Sequence, residues 1–384
     1  MNFDVTIDPA TWNCIYCYPI SYILVFGALI VITILVGLLG NIFVVYTIVA
    51  DKKLMSSSVN QMLLNLAIAD LGNLVFCIPD VVMVLLDRGW LLPSAACHLI
   101  RFLQEYFLYA SVLLQMSIGV ERFLAICTPM RMQRFSARTT MIVLASDWLI
   151  ATAFGAPYFI YMGLLYHKPI GKREFTFCYW EGIGPRFRLI FKHAEFVLLF
   201  CFPLVLLSIL YAIMSRVLWG KTTNSQGENM MADEMQQMAI LKLRRSVVKM
   251  LIISMLLYFV CYTPIQANFL YPFQPPQWIR LIINYLPIMS SAASPVVYIM
   301  CCRHFHSKFI QLCKAFCHCW RPTKYICASN DSTVSKLSRS PYVSFRKSGK
   351  KRNRKTSRAS SGRLSFAANN NNGDMSPLQK SSIV

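Results

Sequence analysis

An acid followed at once by an arginine, Glu121-Arg122-Phe123, stands 25 positions after Cys97 at the far end of a long apolar stretch. Such a pair can act as an ion-pair latch whose release exposes the arginine, and the cysteine offers a thiol for oxidation. At about 1.5 Å per residue the interval covers roughly 37 Å of helix. That is close to the ~40–45 Å of a bilayer with its headgroup regions, so one helix would carry the cysteine at one face and the latch at the other. The plainer reading of Arg122 is an anchor in lipid headgroups. Other chemistry is not signalled: there is no Gly-rich phosphate loop and no nucleophile motif with its partners. Cys317-His318-Cys319 lacks the four spaced ligands of a zinc site. The chain does not read as an enzyme, and no cofactor or nucleic-acid partner is expected.

What must hold these residues is a membrane bundle. Hydrophobic residues make up 56% of the chain and charged residues 14%, against ~45–50% and ~25% for soluble domains. Seven apolar stretches, about 20–50, 58–86, 98–128, 139–162, 189–218, 247–272 and 278–301, each cover the ~17–25 residues a spanning helix needs. Helices satisfy their own backbone hydrogen bonds in lipid. The expected fold is therefore an all-α membrane protein, a seven-helix transmembrane bundle over 20–302. An N-terminal segment (1–19), an amphipathic stretch (303–320) and a basic tail (321–384) flank it. The first 20 residues lack a basic region followed by an apolar core, so no cleaved signal is read there.

Charge sets the expected orientation. From Arg303 onward there are 17 Lys+Arg and 2 Asp+Glu, +15 of the total +21. Lys52, Lys53, Arg131, Arg134, Arg138, Arg216, Lys221, Lys242, Arg244, Arg245 and Lys249 add cations to alternate loops, while the first 20 residues carry only Asp4 and Asp8. The tail is expected in the cytoplasm and the N-terminus outside, at the plasma membrane. The loop 163–192, although basic, falls outside. Cys97 and Cys178 then share an oxidising compartment and can pair. Cys14 and Cys17 can pair with each other or elsewhere. Cys313, Cys317 and Cys319 follow Arg303, Phe305, Phe309, Leu312 and Phe316 in a pattern suited to palmitoylation beside membrane lipid.

These residues resemble the rhodopsin-like (class A) G-protein-coupled receptors over about 20–317. The resemblance rests on Gly40-Asn41; Asn65-Leu66-Ala67 with Asp70; Cys97 with Glu121-Arg122-Phe123; Trp148 and Pro157; Pro203 and Tyr211; Cys261-Tyr262-Thr263-Pro264; and Ser294-Pro295-Val296-Val297-Tyr298. Phe305 matches the start of a short cytoplasmic eighth helix. The resemblance implies that Asp70, a costly acid in mid-membrane, has Asn41, Ser111, Ser290 and Ser291 as candidate partners. It also implies a sodium site at Asp70 and Ser111. Pro203, Pro264 and Pro295 each remove a helix hydrogen bond and should kink their helices. Three departures stand out: Tyr262 replaces the usual tryptophan, Ser294 replaces the usual Asn or Asp, and Arg244 stands where some relatives place an acid. Glu121 is left as the partner of Arg122, which suggests a loosely held resting state.

The seventh helix has no lysine for a retinal Schiff base. Gln104 stands where amine receptors carry an aspartate, as in many peptide receptors. The outer pocket that the resemblance implies, with Asp80, Glu105 and Glu195 as acids, Arg101 and Arg280 as cations, and Tyr106, Tyr109, Gln266, Phe269 and Asn284 as further surface, suits an amphipathic or basic peptide, a C-terminally amidated one included. Alternatively Arg101 and Glu105, one turn apart, simply pair with each other. Phe175 to Trp180 alternates large residues as a hairpin lid would. The function implied is a neuropeptide receptor acting on heterotrimeric G proteins. Chemosensory or other small-molecule receptors share its motifs, and a transporter would need repeats that are not found. The tail 321–384 reads as disordered. Ser338, Thr356, Ser357, Ser360 and Ser361 lie near basic residues as kinase and arrestin sites do, and Ser382-Ile383-Val384 fits a PDZ protein's groove.

Overall fold

The computed structural model describes residues 15–128, 136–170, 173–220, 231–270 and 275–319. Among them are seven helices long and apolar enough to cross a membrane: α1 (Ile20–Ala50), α2 (Ser58–Leu86), α3 (Ser94–Cys127), α4 (Ala137–Tyr161), α5 (Pro185–Gly220), α6 (Met231–Leu270) and α7 (Gln277–Cys301). A further helix, α8, runs Arg303–Cys319, and β1 (Met162–Ile170) pairs antiparallel with β2 (Arg173–Trp180).

The bundle is organised around α3. It packs against α2, α4 and α5, whereas α1 packs on α2 and α7. Burial follows: 11% of the most apolar window of α1 is buried inside the protein, against 44% for α3. Leu24, Val31, Leu35, Leu39 and Ile42 of α1 are exposed. The physical sense of that exposure is contact with lipid, which is as apolar as they are. Gly40 permits the α1–α7 approach, since a Cβ there would come within 2.7 Å of the Pro295 ring. Between α2, α3 and α4 the fastenings are polar. Trp148 Nε1 donates to Asn65 Oδ1 at 3.0 Å, Ser117 to Asp147 Oδ2 at 2.8 Å and Thr140 to Ser58 at 2.9 Å. Hydrogen bonds across spanning helices contribute about 0.6 kcal/mol each on average.

Two boundaries differ from the sequence expectation. Helix α5 begins at Pro185 rather than near 189, so Arg186, Arg188 and Lys192 belong to a helix and not to the loop 163–192. Proline after Gly184 is well placed at the first helical position, where its missing N–H costs nothing. Helix α6 begins at Met231, so Lys242, Arg244, Arg245 and Lys249 stand well inside it rather than at its start. Only 221–230 separate α5 from α6, instead of the stretch between the apolar segments ending at 218 and beginning at 247. Apolarity marks the part of a helix that lipid could cover, while its polar extension, rich in good helix formers such as Met, Ala, Glu, Gln and Lys, escapes that signal. In α5 a π-turn at Val197–Cys201 directly precedes Pro203. Proline displaces the carbonyl four residues back, and a widened turn is one way to accommodate it.

Candidate functional site

At the Cys97 end of α3 the helices part around a cavity of about 500 Å³, within the range of ligand sites. Asp80, Arg101, Gln104, Glu105, Glu195, Gln266, Phe269, Arg280 and Asn284 all line it. They come from five helices. Tyr106 and Tyr109, expected as further surface, are not in the lining. Tyr106 packs among Phe102, Phe107 and Trp148, and buried Tyr109 donates to Tyr158 at 3.3 Å.

The β1–β2 hairpin forms one wall. A Cys97–Cys178 disulfide with Cα atoms 5.6 Å apart ties it to the start of α3. A second tie is the Trp90 N–H, which donates to Thr176 O at 2.7 Å. Gly89 makes this approach with φ +75°, where a Cβ would meet the Thr176 oxygen at 2.5 Å. Trp180 packs on Tyr158 and Phe191, while Tyr179 is 44% exposed beneath the Arg188 guanidinium.

Two ion pairs stand in the cavity. Asp80 Oδ2 accepts from Arg101 and, at 2.9 Å, from Gln104 Nε2. Arg101 therefore does not pair with Glu105: its acid lies across on α2. Glu195, 4% exposed, accepts from Tyr158 at 2.7 Å and forms an ion pair with Lys192 at 3.2 Å. Lys192 also lies 4.7 Å from the Phe269 ring and donates to Tyr158. Lys192 and Tyr158 were missed as site residues because the former was read as a loop cation. Its position three before Glu195 on one helix was the available signal.

The chain just before α1 closes part of the mouth. Asp87, at φ +54° beyond the end of α2, accepts from the Tyr16 N–H at 2.8 Å and the Cys17 N–H at 2.6 Å. Arg280 lies 3.7 Å from the Tyr16 ring centroid, and Gln277 donates to Tyr16 O at 2.5 Å. Burial raises the Asp87 carboxyl above its usual range although those N–H groups pull the other way. Burial, then the Asp87 charge, push the Tyr18 phenol upward. Cys17 is disulfide-bonded; Cys14 lies outside the described residues.

Beneath the cavity a polar path leads inward. Tyr262 and Asn73 line the floor. Asn73 Nδ2 donates to Tyr262 OH at 3.4 Å and to Ser291 Oγ at 2.9 Å. Asn41 Nδ2 reaches Gly37 O and Ser291 O at 3.0 and 3.2 Å, not Asp70. Asp70 accepts from Ser111 at 3.0 Å, and its buried Oδ2 has no hydrogen-bond partner among the described residues. That orphaned oxygen, with Ser111, fits the donor set of a hard cation. Ser294 is turned to Ser290 O at 3.4 Å, and Pro264 and Pro295 lie inside α6 and α7.

At the other end of α3 the latch is closed within one pair. Arg122 Nε donates to Glu121 Oε2 at 2.5 Å and Nη2 to Oε1 at 2.8 Å, with Glu121 1% exposed. Phe123, half-buried, packs against a core that includes Tyr211 and Tyr298, both buried. Helix α6 also has ties that the side-chain sequence does not display. Arg245 donates twice to Leu218 O, at 2.8 and 3.1 Å, and faces Trp219 at 5.5 Å. Ser246 donates to Cys301 O. Both acceptors sit in the final turn of a helix, where carbonyls lack intrahelical partners. Helix α8 then leads away with Cys313 exposed and unoxidised; its backbone includes Cys317 and Cys319. Met130, Arg131, Arg134, Lys221 and everything from 320 onward, the phosphorylation and PDZ candidates included, fall outside the described residues.

A seven-helix bundle with a disulfide-tied cavity at one end and an acid-arginine latch at the other defines a class of membrane receptor. Residues 40–298 match the family model for the 7 transmembrane receptor (rhodopsin family), and the chain belongs to that family of G-protein-coupled receptors, a multi-pass membrane protein and not an enzyme. Among its relatives, the neuropeptide receptor 15 of Caenorhabditis elegans is 30% identical over 310 residues, covering 72% of this chain and 86% of that protein. The neuromedin-K receptor of Homo sapiens is 28% identical over 286 residues, covering 72% of this chain but only 59% of that protein. Galanin receptor 2a of Danio rerio is 26% identical over 284 residues, with 72% and 74% covered.

Proposed function

We propose that this receptor is a neuropeptide receptor whose cavity at the Cys97 end faces the cell exterior and whose Arg122 end faces the cytoplasm. The observation that carries the reading is the cavity itself: it combines paired charges, amides and aromatic rings from five helices and a hairpin. A peptide offers matching charges, amides and apolar side chains along one chain. The names of the relatives point the same way. Ligand entry would press on Tyr262 and Asn73, and the polar path to Asp70, together with the helix turns weakened by Pro264 and Pro295, would pass the change to α6. Its outward movement would open Arg122 to a G-protein helix.

Asp70 and Ser111 would hold a sodium ion, which supplies counter-charge to a buried carboxylate. Cys313, Cys317 and Cys319 are proposed palmitoylation sites that bring α8 to lipid, and the tail is the proposed contact for arrestin and a PDZ protein. The experiment is a library of amidated peptides applied to cells expressing the full chain, read as calcium, cyclic AMP and G-protein activation. Activation by peptides is the expected result. Responses to small odorants alone would overturn the peptide reading in favour of a chemosensory receptor.

A further inference from the structure

Four acids and three cations line the cavity: Asp80, Asp87, Glu105 and Glu195 against Arg101, Lys192 and Arg280. Two pairs are closed internally, Asp80 with Arg101 and Glu195 with Lys192. At the mouth, Asp87 is bonded by two backbone N–H groups and lies within the field of Arg280, which itself stacks on Tyr16. Glu105, on the inner face of α3, enters no ion pair among the described residues. The other charges of this wall are Lys192, already engaged, a second acid, Glu195, and Arg101, also engaged. That wall thus holds two carboxylates to one ammonium.

A ligand entering this cavity displaces the water that would otherwise solvate Glu105. A neutral ligand would leave a carboxylate stranded, and an anionic one would add repulsion, whereas a cation restores balance. The surroundings favour one kind of cation. Tyr158, Trp180, Tyr262 and Phe269 line the same cavity. Guanidinium is weakly hydrated, stacks on aromatic faces and meets a carboxylate with two parallel N–H donors.

We infer that the ligand carries an arginine side chain, or an equivalent guanidinium, that seats against Glu105. The inference rests on the reading of the cavity as the ligand site and narrows it to a charge class. It also moves the counter-ion role from Gln104, where an amine receptor would have it, to the next residue along α3, and takes it away from Glu195, whose carboxylate is already filled.

Two probes separate this inference from the peptide reading. The first is a set of amidated hexapeptide pools with one position fixed as arginine or as citrulline, its uncharged isostere, applied to cells expressing the parent, Glu105→Gln and Glu105→Asp chains. Arginine pools should activate the parent at about tenfold lower concentration than citrulline pools, the scale of one lost charge pair. The preference should vanish in Glu105→Gln and persist in Glu105→Asp, which also shows that a change at this site leaves the chain folded. Equal potency of the two pools on the parent, or a preference that survives Glu105→Gln, overturns the inference and leaves the peptide reading standing.

If no pool activates the receptor, the peptide reading fails and the second probe decides. Purified parent receptor is heated with argininamide or citrullinamide. A higher unfolding temperature with argininamide alone, lost in Glu105→Gln and kept in Glu105→Asp, supports the guanidinium site by itself. Identical curves for the two amides on the parent overturn it.

Discussion

The two ends of α3 hold charge in opposite ways. At the Cys97 end Asp80 of α2 pairs with Arg101 of α3 across open space, Glu195 pairs with Lys192 of its own helix, and Glu105 enters no ion pair among the described residues. At the Arg122 end the ion pair is between sequence neighbours, and helix-to-helix contacts are made to main-chain carbonyls. The difference fits the roles proposed for the two ends. An end built to admit a ligand keeps its polar groups facing a cavity; an end that must stay shut until told otherwise buries its acid and spends spare helix-end acceptors on closure.

The largest expected effect comes from removing what holds the open end in shape. Cys97→Ser breaks the bond between α3 and the hairpin across a separation of 81 residues, worth about 4–5 kcal/mol by chain entropy. Surface expression and binding should both collapse, and a receptor that keeps both would show the hairpin ties at Trp90 and Gly89 to be sufficient. Next is Glu121→Gln at the closed end. Replacing a buried acid that holds an arginine through two hydrogen bonds should weaken the latch by about 1.5–3 kcal/mol and raise ligand-free signalling, read as basal nucleotide exchange.

A smaller rise is expected from Ser246→Ala. Its hydrogen bond to Cys301 O contributes about 1 kcal/mol, so basal signalling should increase severalfold, and more than for Arg244→Ala. If Arg244→Ala has the larger effect, the carbonyl tie does not hold α6. Smallest is Asp87→Asn. A carboxyl whose folded value is raised binds its proton more readily folded than unfolded, so it takes stability away as pH climbs from its ordinary range through the raised value. An amide oxygen can still accept from Tyr16 and Cys17. Thermal unfolding should therefore be near neutral or slightly improved at pH 7 and lose part of its decline between acid and neutral pH.

Much of this contrast was legible in the sequence, for reasons specific to each part. Apolar length marked the seven helices, and ordered motifs placed nine residues from five helices around one cavity. Partner choice was not legible: Arg101 has Glu105 one turn away on its own helix, yet Asp80 on α2 lies closer to its guanidinium. Lys192 was hidden by the assumption that a helix begins where apolarity does, although Gly184-Pro185 marked the true start. The ties on α6 could not be read at all, because their acceptors are the carbonyls of Leu218 and Cys301, and every residue has a carbonyl. Asp147 was missed too: only the fold shows that Ser117 faces it.

The central claim is that events in the cavity control access to Arg122. Nucleotide exchange on purified heterotrimeric G protein, with the receptor in lipid nanodiscs and the amidated peptide pools as probe, tests it directly. Exchange should rise with peptide for the parent chain and for Arg244→Ala, and should not rise for Arg122→Ala even though that variant still binds peptide. Peptide-driven exchange that persists undiminished in Arg122→Ala would contradict the account.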